Sequence, residues 1–568
     1  MSSRRSPERM MYEDGSRAAR VTKLDFLQGS RLEDPARLHR APVGAAALPA
    51  WLKARPAFGW RSGLVVATVA LIAIAAALRC FEYDEAYLFF YLAGRPRGNW
   101  PLAPETVGAL RAALHGASAS YSEIAANLNQ FETHPPFHFW LMKPWLALFG
   151  DGMFAARLFS VACAAGSALV LLRLATLAGA PAIPSLLCGM LGYAVFHTAT
   201  LARAYALAVL LVLLGALALA EVLRRLQAGS APRPWAVEGT GLAALAGLCF
   251  GLAGYSHYLA LLAGAALLGA FGTTALWWRR PLPVLGAALG LLPPFLAVMA
   301  IRDGQGTAEW FHPTFMPARD LLRVGEMVAT ALFARTPVLL DPPWRGVAMA
   351  LGAASTMVMA ATIVFGLRSI LANPVRRLLL VGAVSMPVGL LVLSVLEDRA
   401  PFVARYASYS VPFMALAFAM GLQALARSGR PRLALAAFLL VVVPQAAGAL
   451  TQIAWTRTQQ EFRPIVAAIE AEWQPGESLL VVPVGYDGIG KNGPYLWEAP
   501  QDWPMVVVRG ANPMDAYLSQ FGAETRRLFV VTFVEDTGTY ALRVLRPALE
   551  QAGWRKVSVA EFHEVWVR

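Results

Sequence analysis

The chain has 568 residues, 57% of them hydrophobic and only 15% charged, with a formal net charge of +13. Soluble domains are roughly half apolar and about a quarter charged, so an ordinary soluble protein is excluded. Nucleic-acid binding is not expected either: the Lys and Arg residues crowd before residue 63 and then recur in short loops between apolar runs, which is how membrane topology is set.

In chain order, residues 1–55 read as a disordered, basic cytoplasmic tail drawn to anionic lipid headgroups. The apolar patch near 43–51 is too short and too late for a signal peptide. Bilayer-length apolar runs follow at 63–79, 153–175, 182–200, 204–222, 240–255, 258–277, 283–300, 346–366, 378–396, 407–426 and 433–452, about eleven spans in all. Four basic clusters lie between them: Arg224, Arg225 and Arg233; Arg279 and Arg280; Arg368, Arg376 and Arg377; Arg427, Arg430 and Arg432. Keeping these and the N-terminus in the cytoplasm demands an even number of crossings between clusters. The run 134–149 would break that parity as a span. It is short, starts with two prolines and carries Lys143, so it is expected to lie along the outer interface as an amphipathic helix.

This threading leaves two outer loops, 80–152 and 301–345, with surface helices expected at 103–114 and 318–334. The tail, 453–568, alternates helical stretches (461–473, 513–521, 539–552) with β-rich runs (478–484, 505–509, 528–534, 556–567), implying a small α/β domain. Cys80, Cys163, Cys188 and Cys249 lie in or beside apolar segments and read as packing residues. The expected fold is therefore a polytopic α-helical membrane protein with a small C-terminal α/β extracytoplasmic domain, in the inner (plasma) membrane.

Polar residues that need a reason to sit at a membrane surface all fall on the outer side. Asp84 and Glu85 follow the first span; His134 closes the first loop; Arg203 and Tyr205 lie between the third and fourth spans. His257 and Tyr258 lie between the fifth and sixth, Arg405 and Tyr406 between the ninth and tenth. Carboxylates supply a general base and arginines bind phosphate. Imidazoles assist or hold a divalent metal ion, for which Asp84 and His257 are the candidate ligands. No P-loop or GxGxxG segment is present, so no nucleotide cofactor is expected. A transporter or flippase would place charges at mid-membrane and show matched halves; here the charges sit at span ends. An oligosaccharide ligase, or a membrane scaffold whose tail binds a partner, remains an alternative at this stage.

Several short motifs carry a resemblance to a family: Asp84-Glu85-Ala86-Tyr87, His134-Pro135-Pro136-Phe137-His138-Phe139, Leu148-Phe149-Gly150-Asp151 with Ala156-Arg157-Leu158, Ala202-Arg203-Ala204-Tyr205, Ser256-His257-Tyr258 and Arg405-Tyr406. In order and spacing the chain resembles the GT-C glycosyltransferases that use polyprenyl-phosphate sugars, specifically the bacterial relatives of protein O-mannosyltransferases and of the lipid A aminoarabinose transferase. The resemblance implies an outward-facing, inverting transferase. Its donor would be a polyprenyl-phosphate-linked sugar, its acceptor a lipid, glycan or protein, and Asp84 would activate the acceptor hydroxyl. His134 stands where the aminoarabinose enzymes use a Lys against the lipid phosphate. Thr133, preceded by Glu132, stands at a position that is acidic in those enzymes. Both departures argue against aminoarabinose as the sugar.

Overall fold

The structure, a computed structural model, describes residues 58–95, 100–115, 119–131, 134–228, 237, 239–302, 315–333, 345–398, 401–454, 462–484, 492–509, 512–532, 536–560 and 563–568. The basic stretch 1–55, Glu132, Thr133 and Arg233 lie outside the described residues.

Helix α1 (Phe58–Leu78) turns into α2 (Tyr83–Leu92). The first outer loop continues with strand β1 (Glu105–Thr106) and helices α3 (Val107–His115), α4 (Tyr121–Phe131) and α5 (Phe137–Phe149). Next come α6 (Met153–Ala178), the pair α7 (Ala182–Met190) and α8 (Tyr193–Ala199), then α9 (Tyr205–Ala228), α10 (Thr240–Ser256), α11 (Ala260–Trp277) and α12 (Pro281–Arg302). After α13 (Pro317–Phe333), α14 (Arg345–Leu371) and α15 (Pro374–Glu397), a 3-10 turn at Ala404–Tyr409 leads to α16 (Val411–Arg427) and α17 (Pro431–Ala454). The tail holds α18 (Phe462–Glu470), β2 (Ser478–Val484), α19 (Asn492–Glu498) and β3 (Pro504–Arg509). It ends with α20 (Met514–Leu518), β4 (Arg527–Val531), α21 (Asp536–Gln551), β5 (Arg555–Val559) and β6 (His563–Val567).

Helix stands at each expected span. By length and apolarity, seven of the described helices can cross a bilayer, or eight when α7 and α8, bent by 64°, form one broken span. The apolar part of α1, with α10 and α16, falls below that length. Small residues allow the backbones to touch, as membrane helices require when lipid supplies no hydrophobic drive between them. A Cβ on Gly290 of α12 would lie 1.9 Å from the Ala244 carbonyl oxygen of α10, and one on Gly247 would lie 2.0 Å from the Ala287 carbonyl.

Helix α6 relates the two ends of the bundle. At its C-terminal end the Ala178 carbonyl accepts from Arg376 Nε at 2.8 Å, within the basic clusters. Near its N-terminal end Arg157 reaches the α1–α2 junction. The helix between them is roughly 30 Å long at 1.5 Å per residue, about the hydrocarbon thickness of a bilayer.

The tail forms a six-stranded sheet in the order β1-β3-β2-β4-β6-β5. Strands β3, β2 and β4 are parallel; β1, β6 and β5 join antiparallel. Alternation along the strands buries both faces. Leu480, Val482, Met505 and Val507 face one core, whereas Leu479, Val481, Val506 and Val508 face the other. One expectation changes here. The stretch 103–114 is not one helix, since Glu105–Thr106 pairs with Met505 and Pro504 as the edge strand of the tail's sheet. The β-rich run 556–567 falls in the antiparallel pair β5–β6. The tail is also not packed on itself alone: one of its cores includes Phe81, Ala86, Phe89 and Phe90 from the α1–α2 region.

Candidate active site

Two carboxylates one residue apart on α2 have different surroundings. Glu85 is fully buried and all its lone-pair directions are used. Oε1 accepts from Arg157 Nε at 2.9 Å and from the Ala202 N–H at 2.9 Å. Oε2 accepts from Arg157 Nη2 at 2.6 Å and from the Glu82 N–H at 3.1 Å. Arg157 spends its remaining donors on the Ala76, Arg79 and Cys80 carbonyls at the end of α1. The last carbonyls of a helix have no intrahelical partner, and here one guanidinium serves the Ala76 carbonyl of the last turn and two carbonyls just beyond it. Burial alone would raise the Glu85 carboxyl; the Arg157 charge and hydrogen bonds, with the Ala202 N–H, outweigh it and hold the carboxyl below its ordinary range. Glu85 therefore welds α1, α2, α6 and the turn before α9 together. Glu85, expected beside Asp84 as a catalytic carboxylate, thus has two donors on each oxygen.

Asp84 points elsewhere. Its Oδ2 accepts from Arg405 Nη1 at 3.0 Å, and its backbone carbonyl accepts from Arg203 Nη1 at 3.0 Å. Arg203 Nη2 lies 3.3 Å from His134 Nε2. The Arg405 guanidinium also sits over the Tyr205 and Tyr406 rings, at 5.8 and 5.9 Å. His257 packs among rings, 4.8 Å from Tyr205, 5.4 Å from His134, 5.5 Å from Tyr406 and 6.2 Å from Tyr258. Burial first, then the charges of His134, Arg203 and Arg405, holds the His257 imidazole well below its ordinary range. Of the expected residues, Glu85 stands apart, and Asp84, His134, Arg203, Tyr205, His257, Tyr258, Arg405 and Tyr406 thus meet in one cluster. Its chemistry is one carboxylate against two guanidiniums, walled by aromatic rings.

That charge balance suits an anion. Among the described residues no three metal-ligating side chains gather, and the Asp84 carboxylate already bonds to a guanidinium whose charge would repel a cation.

Sequence reasoning missed three participants. Arg157, quoted only as part of a motif, is the buried partner of Glu85; an arginine inside an apolar run was the available signal. Arg79 bridges Glu82 Oε1 at 2.5 Å, Thr200 Oγ1 at 3.0 Å and His197 Nδ1 at 3.1 Å. His138 is 1% exposed, and neither ring nitrogen has a hydrogen-bond partner among the described residues. It lines a narrow cleft with His134, Arg203, Leu88 and Phe139. Burial, with Arg203 and His134 nearby, lowers its pKa to about 3.

Residues 133–300 match the family described as dolichyl-phosphate-mannose-protein mannosyltransferase. No curated protein sequence matches the chain. Among solved structures it is similar to ArnT from Cupriavidus metallidurans bound to undecaprenyl phosphate, at 13% identity and TM-score 0.47 over 90% of this chain and 98% of that one. It is similar to the oligosaccharyltransferase AglB from Archaeoglobus fulgidus in complex with an inhibitory peptide and a dolichol-phosphate, at 11% identity and TM-score 0.41 over 83% and 69%. It is also similar to the arabinofuranosyltransferase AftD from Mycobacteria, at 15% identity and TM-score 0.45 over 91% and 40%. The family match spans His134, Arg203, Tyr205, His257 and Tyr258 of the cluster, with Asp84 and Arg405 on either side of the matched segment.

Proposed function

We propose that the protein transfers one sugar from a polyprenyl monophosphate to an extracytoplasmic lipid, glycan or protein acceptor, with inversion at the anomeric carbon. The observation that carries this reading is the contact between base and clamp: Asp84 Oδ2 is 3.0 Å from Arg405 Nη1. A phosphate reaching Arg203 and Arg405 competes with Asp84 for the Arg405 fork, and arginine–phosphate contacts are strong and planar. As Arg405 turns to the phosphate, the Asp84 carboxylate becomes available to the acceptor hydroxyl. The hydroxyl oxygen then attacks the anomeric carbon, the bond from that carbon to the phosphate oxygen breaks with its electrons going to the phosphate, and the proton passes to Asp84. The two guanidiniums stabilise the charge that develops on the leaving phosphate, often the largest single contribution to such catalysis.

The basic clusters at the opposite end of α6 support placing the site on the outer side. The lipid tail of the donor would lie between helices whose surfaces are apolar and open to lipid, such as α12 with Leu285, Leu289, Leu292 and Leu296 exposed. The test is to incubate purified protein with a panel of polyprenyl-phosphate sugars and to follow release of the lipid monophosphate. No release from any donor, with the protein folded and acceptors supplied from an envelope extract, would reject the reading.

A further inference from the structure

We infer that the tail domain is a positioning element for Asp84, with α19 acting as the stop against which α2 is set. This rests on the proposed role of Asp84 and adds a second group of residues to it. Helix α2 lies between two bodies. On one side Asp84 and Glu85 face Arg405, Arg203 and Arg157. On the other, α19 makes three kinds of contact. The Glu498 carboxylate accepts the Phe81 N–H at 2.9 Å, three residues before Asp84. Trp497 stacks on Phe81 at 4.6 Å with the rings 9° from parallel, and tilts onto Phe89 at 5.1 Å. Gly493 abuts Ala86 so closely that a Cβ there would lie 2.3 Å from the Ala86 Cβ.

The contact is itself held in place. Arg463 of α18 bonds Glu498 at 2.7 Å and donates to the Leu78 carbonyl of α1 at 3.1 Å. Strand β1, from the same outer loop as α2, is pinned to β3. Two consecutive links therefore tie the tail to the α1–α2 turn, one by charge and one by close packing. Displacement of a reacting group by about 1 Å costs on the order of a hundredfold in rate. Two carbon atoms in ordinary contact are about 3.5–4.0 Å apart, so a methyl group on Gly493 must push α2 by about that 1 Å or more.

The test exchanges the methyl group across the interface in the full-length protein. Gly493→Ala, Ala86→Gly and the double variant are purified and assayed with whichever undecaprenyl-phosphate sugar the unmodified enzyme turns over; undecaprenyl phosphate alone is the binding probe. Gly493→Ala is expected to lower kcat by roughly ten- to a hundredfold while the binding of undecaprenyl phosphate stays within about twofold. The double variant is expected to recover most of kcat, because the methyl group has moved without adding volume. Normal kcat in Gly493→Ala would overturn the inference, as would a folded double variant that recovers nothing. Should Gly493→Ala fail to fold, Glu498→Gln against Glu498→Ala decides: Gln keeps an acceptor for the Phe81 N–H and should retain kcat that Ala loses, and equal kcat in the two would overturn the inference. Asp84→Asn run alongside separates the two readings, since normal transfer by that variant removes the role of Asp84 itself, whatever the tail does.

Discussion

Replacing Glu85 by Gln and Asp84 by Asn should give opposite phenotypes from neighbouring, nearly isosteric changes. In Glu85→Gln the amide can accept on one side only. Its NH₂ group must then face either Arg157 Nε and the Ala202 N–H, or Arg157 Nη2 and the Glu82 N–H. Two of the four bonds become donor–donor contacts, and the Arg157 side chain, 3% exposed, loses its counter-charge. Breaking a buried pair from one side costs about 3–5 kcal/mol. Asp84→Asn disturbs a pair whose Arg405 side chain is 31% exposed, and partly solvated pairs contribute only about 0–1 kcal/mol. The loss of a general base, by contrast, removes about a hundred- to ten-thousandfold in rate. Thermal unfolding in detergent, undecaprenyl phosphate binding and sugar transfer should therefore separate the two. Glu85→Gln should melt far lower, and Asp84→Asn should melt normally, bind donor and fail to turn over.

Acid titration sharpens the comparison. The Glu85 carboxyl is held below its ordinary value of 4.5. Its ionised form therefore contributes stability above about pH 4.5, lost as pH falls through the lower folded value. The gap between wild type and Glu85→Gln should persist at neutral pH and close only in strong acid. A double Glu85→Leu, Arg157→Leu change should not restore stability, although apolar replacement of buried pairs often succeeds. It would strand the Ala202 N–H and the Ala76, Arg79 and Cys80 carbonyls. A Glu85→Gln variant that melts like wild type yet loses turnover would refute the assignment of Glu85 to structure and place it in the chemistry.

Arg405→Ala and Arg203→Ala should each weaken donor binding, since a charge-assisted contact contributes roughly 1.5–3 kcal/mol, or about ten- to a hundredfold; Lys should rescue only partly because it lacks the planar fork. Unchanged affinity for undecaprenyl phosphate in both Ala variants would remove the phosphate clamp. His138 is neutral when folded, with a pKa of about 3 against 6.5; its depressed value means stability is lost as pH falls below about 6.5 and toward 3. His138→Leu should flatten the unfolding temperature across that interval, and an unaltered slope would show that another group sets it. A reporter active only outside the cytoplasm should be active after residue 460 and silent near 229; the reverse would turn the site to the cytoplasmic side.

The chain's own order of residues sufficed to place a helix at each expected apolar run, seven or eight of them long enough to cross a bilayer, because an apolar run in lipid must satisfy its backbone internally whatever its neighbours. It sufficed also for the common face of Asp84, His134, Arg203, His257 and Arg405, because loop charge parity depends only on sequence. It could not divide the labour between Asp84 and Glu85. Adjacent residues on a helix point about 100° apart, and what each meets depends on Arg157, 72 residues away from Glu85, and on Arg405, 321 residues away from Asp84. Nor could it join the tail to the first loop: β1 is two residues long, too short for a period to register, and its strand identity comes from pairing with β3. Local pattern encodes which side of a helix is apolar, whereas the partner that fills a hydrogen-bond direction is set only when distant segments pack together.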